Sequence, residues 1–448
     1  MKFECDAQTH SDLAIFRSGQ NDDCIFTLFN KTITYGGGYK LKDIFDNPLT
    51  DKEQLKERVA AIKYLQQNAL DLKIEKSPCD FIEFYLQQKN KPTSVSKIRA
   101  VEKWLRYRLK GDSDYYIVES GVKYTLQLLA MVRGFTTAYP IETLPALLQN
   151  FHKQIDEVLT DPDFVFLNNI DLKKPGAVAI AQADHLFRYK GFDKLKQLLD
   201  IVYLFDVYLS IAVTGLNLGF GLPVISDNDD GLVIDGLFHP LIKNPVSNNA
   251  VFNASQNICF ITGTNMAGKS SYLKSIGICI YLSQLGFPVP AVHMETPVFN
   301  GLITTINLPD NLSQGNSHFY NEVLRVKHVA QKIAALPKLF VIFDELFRGT
   351  NVKDAYDASL SIIRSFAQIK NSYFVVSTHI VEVARELSAI ENISFKFMET
   401  VFDNGSPSFS YQLKTGVTDE RLGMWIVKNE GILDIIADII KKQEQTEF

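Results

Sequence analysis

The chain has 448 residues, of which 46% are hydrophobic and 22% charged, enough for two or three domains with ordinary buried cores. A formal net charge of −5 excludes a uniformly basic nucleic-acid binder and leaves such binding to local patches. Five scattered cysteines without a C-x-x-C pair exclude a disulfide framework and a zinc knuckle, and the polar start MKFECDAQTH, with no unbroken apolar run of membrane-span length, sets the expectation of a cytoplasmic protein.

From Met1 to about Gly221 the pattern is helical. DKEQLKERVAAIKYLQQ (Asp51–Gln67) spaces Leu55, Val59, Ile62 and Leu65 by three and four, which predicts an amphipathic helix, with Pro48 and Asp51 where a turn and a helix start belong. KNKPTSVSKIRAVEKWLRYRLK (Lys89–Lys110) sets eight Lys or Arg residues against the single acid Glu102 and interleaves Trp104 and Tyr107, a composition that suits nucleic acid. The same stretch carries Ile98, Val101, Leu105 and Leu109 at helical spacing, which suits an amphipathic helix with a solvated basic face, and both readings stand. GFDKLKQLLDIVYLFDVYLSIAV (Gly191–Val213) is apolar nearly all round, so a helix buried on several sides is expected.

Beyond the Gly- and Asp-rich loop Gly219–Gly231 the texture changes. Short apolar runs alternate with helical stretches: ICFIT, KLFVIFDE (Lys338–Glu345) and YFVVSTH (Tyr373–His379). Runs of this kind are typical of buried parallel strands. The first leads into ITGTNMAGKSSYL (Ile261–Leu273), which contains G-x-x-x-x-G-K-S from Gly263 to Ser270. Between a strand and a helix, this spacing reads as a phosphate-binding loop. The N–H groups of Thr264 to Ser270, through Asn265, Met266, Ala267 and Gly268, wrap a β-phosphate. Lys269 reaches the β- and γ-phosphates, and the Ser270 hydroxyl ligates Mg²⁺. Asp344 ends an apolar strand 75 residues after Lys269 and binds Mg²⁺ through its water shell, while Glu345 is placed to activate water. His379 follows a third strand, where it reads as a γ-phosphate sensor.

These residues resemble the MutS family of DNA mismatch repair ATPases. TGTNMAGKSSYL, DELFRGT and STHIVE are similar to that family's glycine loop, including Ser271, its Walker B segment and its switch-histidine segment. Asn265 and Met266, and Arg348, Gly349 and Thr350, carry the likeness beyond a general P-loop. DNLSQGNSHFYNEV (Asp310–Val323) resembles the signature segment, with Ser317, Phe319 and Glu322 at matching places. The resemblance implies that Ser317 touches the γ-phosphate bound by the other subunit of a dimer, and that Asp354 lies in a dimer-contact loop. Leu28–Leu65 resembles the start of the family's core, and FHPLI at Phe238 with NPVSNN (Asn244–Asn249) resembles the start of its ATPase domain, where the adenine sits.

Phe347 stands where the family usually has glycine, and Ala267 and Ser271 are mild variants. The core likeness begins near residue 1, which sets the expectation of a short form without the mismatch-reading domain, with its Phe-x-Glu wedge, or the connector. The expected architecture is α/β plus all-α: a helical MutS-like core and lever over 1–225, then an ABC-type P-loop ATPase over 226–448 with a C-terminal helical segment. The implied function is ATP- and Mg²⁺-dependent DNA binding by a homodimer that hydrolyses ATP at a composite site. A nucleotide-switched scaffold for a protein partner is the alternative, and a transporter ATPase is disfavoured by the helical first half and the missing LSGGQ-type signature.

Overall fold

The computed structural model describes residues 1–17, 23–68, 70, 72–88, 96–171, 174–227, 231–306, 318–347, 349–403, 406–418 and 423–444. The chain forms two compact units. A helical unit comprises Asp22–Leu222 and Leu285–Pro288, and an α/β unit comprises Met1–Asn21, Pro223–Gln284 and Val289–Phe448. The step at Leu222/Pro223 compares with an expected 225/226. Residues 1–21 depart from the expectation, because they belong with the α/β unit. The reason is hydrogen bonding: the Glu4 N–H donates to Asn300 and the Leu302 N–H to Glu4, making Glu4 a parallel bridge partner of Gly301.

Apart from α1 (Ala7–Asp12), which lies in the α/β unit, the first eleven helices build the helical unit. They are α2 (Ile25–Phe29), α3 (Tyr35–Asp46), α4 (Lys52–Gln67), α5 (Lys76–Leu86), α6 (Lys97–Lys110), α7 (Ser113–Ala138), α8 (Ala146–Leu159), α9 (Pro162–Val165), α10 (Ala177–His185) and α11 (Phe192–Asn217). Helix α4 starts as its sequence predicts, with the Asp51 carboxylate accepting from the Gln54 N–H at 2.9 Å, and it buries Leu55, Ala61, Ile62 and Leu65. Helix α11 is long and apolar enough to cross a membrane by length and composition, yet 78% of its apolar window is buried inside the protein. Its Asp206 is buried and accepts from the N–H groups of Ile33 and Thr34 and from the Thr34 hydroxyl, all within 2.9 Å, which fixes the start of α3. Gly36 then lets α3 meet α11 closely, since a Cβ there would stand 2.2 Å from the Tyr203 ring.

Helix α6 differs from a buried amphipathic helix. Only Ala100 is buried, while Ile98 and Leu109 are 80% and 82% exposed, so the apolar stripe faces out with the cations. Its aromatics are engaged: the Arg108 guanidinium lies over Trp104 at 5.7 Å, and Tyr107 packs on Tyr115 at 5.0 Å.

The α/β unit holds two mixed sheets. The smaller, with β1 (Pro223–Ile225), β2 (Leu232–Leu237), β3 (Asn248–Phe252) and β5 (His293–Thr296), runs β1-β5-β2-β3. The larger runs β10-β9-β4-β8-β7-β6, from β4 (Ile258–Thr262), β6 (Gly301–Thr305), β7 (Leu339–Asp344), β8 (Tyr373–Ser377), β9 (Ile393–Asp403) and β10 (Ser406–Thr415). All its pairings are parallel except β9 with β10. Every residue of β4 and β7 is buried, as expected for parallel strands covered on both faces. The connecting helices are α12 (Lys269–Gln284), α13 (His318–Ala335), α14 (Val352–Phe366) and α15 (Val381–Leu387), and α16 (Gly423–Asn429) and α17 (Ile432–Glu444) follow the sheet. The three predicted strands are β4, β7 and β8, adjacent in the order β4-β8-β7, so their carboxyl ends lie side by side.

Candidate functional site

The site is built where those strand ends meet. After β4 the chain turns through Gly263 (φ +143°) and Gly268 (φ +99°), a backbone that favours glycine, and enters α12 at Lys269. Ala267 is buried, whereas Asn265 and Met266 stand exposed at the rim. Lys269 is 5% exposed, and its ammonium donates to the carbonyls of Gly263 at 2.9 Å and Thr264 at 3.1 Å. The Thr264 hydroxyl pairs with that of Thr400 at 3.2 Å, tying the loop to β9.

Asp344 ends β7 against this loop. One carboxylate oxygen accepts from the Ser270 hydroxyl and the other from the Ser377 hydroxyl of β8. A hydroxyl and a carboxylate form a hard-oxygen pair that suits Mg²⁺, with water and phosphate oxygens completing the shell. Among the described residues no group of three His, Cys, Asp or Glu side chains forms a closed metal cage. Glu345 follows in a left-handed conformation (φ +59°), held by its N–H on the Ser377 carbonyl at 3.1 Å. Its carboxylate lies 3.8 Å from the Lys269 ammonium and 3.8 Å from Nδ1 of the exposed His379. An acid thus sits between a buried cation and a titratable ring.

A cavity of about 700 Å³ opens beside the loop. Thr264, Lys269, Ser270, Ser271 and Glu345 line it together with Phe238, His239, Ile242, Met398 and Tyr411, and the Tyr411 ring lies close to Gly268. A lining that combines a buried cation and hydroxyls with aromatic and apolar side chains suits a nucleotide, which brings phosphates and a base together. Burial and then the nearby Lys274 charge pull the His239 pKa down to about 4, so the ring is neutral near pH 7.

A family model for MutS domain V matches residues 259–447. The DNA mismatch repair protein MutS of Streptococcus thermophilus is 28% identical over 264 residues, 57% of this chain and 31% of that protein. MutS of Shouchella clausii is 28% identical over 233 residues, 51% of this chain and 26% of that protein. The DNA mismatch repair protein MSH3 of Candida glabrata is 29% identical over 239 residues, 51% of this chain and 23% of that protein.

Residues 259–447 thus match MutS domain V, and the relatives to which this chain is similar are DNA mismatch repair proteins. The matched stretch spans about a third or less of these relatives' own lengths.

Within this chain, Gly263 to Ser271, Asp344, Glu345 and His379 come together at one sheet edge. Ser317 and Arg348 lie outside the described residues. Asp354 sits exposed in the first turn of α14, where its N–H and carboxylate bond to the capping Asn351. Phe347 explains its own unusual identity: its φ is +62°, the region that favours glycine, yet its ring is buried and packs edge-on to Phe319 of α13 at 5.5 Å. Sequence reasoning missed Ser377 and Tyr411. The first appeared in the quoted STHIVE segment without a role. The second reaches the cavity through a register shift between Phe409 and Leu413 in β10, which no local pattern marks.

Proposed function

We propose that this chain is a cytoplasmic, ABC-type ATPase of the MutS family that works as a homodimer and couples ATP hydrolysis to DNA binding. The observation that carries the reading is the convergence of Lys269, Ser270 and Glu345 on one cavity that Phe238 and Tyr411 also line, with Asp344 bonded to Ser270. The loop N–H groups and the N-terminus of α12 receive the β-phosphate. The Lys269 ammonium exchanges the carbonyls of Gly263 and Thr264 for phosphate oxygens. Ser270 and Asp344 would hold Mg²⁺, which would supply neutralisation of the phosphate charge. Glu345 accepts the proton of the attacking water, and His379 beside it orients that carboxylate and senses the γ-phosphate. Phe238 and Tyr411 frame the base. Ser317 completes the site of the opposite subunit. ATP then closes the pair of ATPase units and switches the helical units, a rigid-body transition driven by differential nucleotide binding. DNA is met through phosphates by cations such as those of α6.

The test is nucleotide binding by Lys269→Ala. Fluorescent ATP affinity should fall at least a hundredfold while the folded spectrum is retained, because the buried ammonium that sits within the glycine loop itself is lost. Wild-type affinity in this variant would remove the site from the glycine loop. The exposed apolar stripe of α6 favours one second reading, a nucleotide-switched scaffold that binds a protein partner through Ile98, Leu105 and Leu109. Salt-insensitive binding of DNA, or none, would support it.

A further inference from the structure

The loop that carries Glu345 is strained and must be held from outside. Two of its residues that are not glycine, Glu345 and Phe347, are left-handed, a conformation that persists only where the surroundings fix it. Part of that support comes from the first turns of α13. The Phe319 ring meets Phe347, and Glu322, buried, accepts from the Gly349 N–H at 3.4 Å. A Cβ on Gly349 would stand 2.6 Å from the Phe319 nitrogen, so the loop lies directly on the helix.

What fixes α13 is the segment at the start of the chain. Arg325, less than two helical turns beyond Phe319, binds Asp6 through both terminal nitrogens. The same guanidinium donates to the Thr304 carbonyl at 2.6 Å and to the Thr305 hydroxyl at 3.2 Å. Lys332, further along α13, pairs with Glu4 at 2.7 Å. Asp12 closes the arrangement from the other side: its buried carboxylate accepts from the Thr304 hydroxyl at 2.7 Å and the Ile306 N–H at 2.9 Å. Residues 4–12 thereby join the end of β6 to α13.

We infer that Asp6 and Arg325 are positioning residues for the Glu345 loop, acting through α13, so that the N-terminal segment is a working part of the ATPase unit. The inference rests on the ATPase reading for its effect on turnover, but not for its effect on the loop. Asp6 is well chosen for the task. Burial pushes its carboxyl up, but the Arg325 hydrogen bonds and charge, with the Thr9 bonds, hold it below the ordinary value, so it is a full anion at neutral pH.

The experiment compares wild type, Arg325→Met, Arg325→Lys and Asp6→Asn as full chains. Asp6→Asn keeps an oxygen to cap α1 while it removes the charge and one of the two acceptors that face Arg325. Hydrogen exchange should speed at least tenfold at the Glu345 and Gly349 amides in Arg325→Met and in Asp6→Asn. Turnover should fall about tenfold while the Kd for ADP stays within twofold, and Arg325→Lys should recover part of both. Adding Arg325→Met to Glu345→Gln should lower the residual rate no further, since both act through one carboxylate. Unchanged exchange at the two amides in a folded variant would overturn the inference. So would a loss of ADP affinity in step with turnover, the mark of general loosening. If Arg325→Met does not fold, Asp6→Asn carries the comparison. If wild type hydrolyses no ATP, the proposed function fails, and the exchange data alone decide whether the segment braces the loop.

Discussion

Phe347 shows how one residue can oppose its own backbone. Replacing it with glycine relieves a left-handed strain of about 1 kcal/mol but deletes a buried ring worth roughly 3–5 kcal/mol. Phe347→Gly should therefore destabilise the protein by about 2–4 kcal/mol in chemical denaturation, and an increase in stability would show that the Phe319 packing contributes little. His239 gives a pH signature. Its pKa is about 4 when folded and ordinarily 6.5, so between those values the unfolded chain binds a proton that the folded chain does not. Its contribution is fully present above pH 6.5 and is lost as pH falls towards 4. At pH 5 the penalty reaches at most about 2 kcal/mol, and His239→Gln should flatten the Tm decline between pH 7 and 5. Residues whose chemistry needs adjacency were legible in sequence: the glycine loop, and the Asp344–Glu345 step at a strand end. Ser377 and Tyr411 were not, because they arrive from β8 and β10 through pairing and a register shift.

At the scale of elements, the strand runs and α4 were legible because their periodicity is local. The partner of each face was not. Helix α6 has the spacing of a packed helix, but spacing does not say whether a neighbour arrives, and among the described residues Ile98 and Leu109 stand exposed. The N-terminal segment joins the α/β unit rather than the helical one that follows it in sequence for the same reason, since its partners lie some 290 residues away. The start of α3 is the counterpart in the helical unit. Asp206→Ala would strand the N–H groups of Ile33 and Thr34 and the Thr34 hydroxyl, and should cost about 2–4 kcal/mol by denaturant titration. A loss below about 0.5 kcal/mol would mean that water replaces the carboxylate.

For the whole molecule, nucleotide and DNA binding call on different physics. Helix α6 offers exposed Lys97, Arg99, Arg106, Arg108 and Lys110, while Trp104 and Tyr107 are already engaged by Arg108 and Tyr115. Cations without free aromatics hold phosphates rather than bases, so DNA binding should be steeply salt-dependent. Arg99→Glu with Arg106→Glu should weaken it on every sequence alike. Discrimination of a single mismatch through this helix should stay below about 1 kcal/mol, under the ~1–3 kcal/mol of direct base recognition. Tenfold tighter binding to a mismatch that survives the double substitution would place recognition elsewhere. The central claim is that Glu345, at the end of β7, activates water on a nucleotide held by Lys269. It is tested most directly by Mg²⁺-ATP turnover and ATP affinity of Glu345→Gln beside wild type. Turnover should fall at least a hundredfold with ATP affinity within threefold, since Ser270, Asp344 and Lys269 are untouched; a rate near wild type would contradict the account.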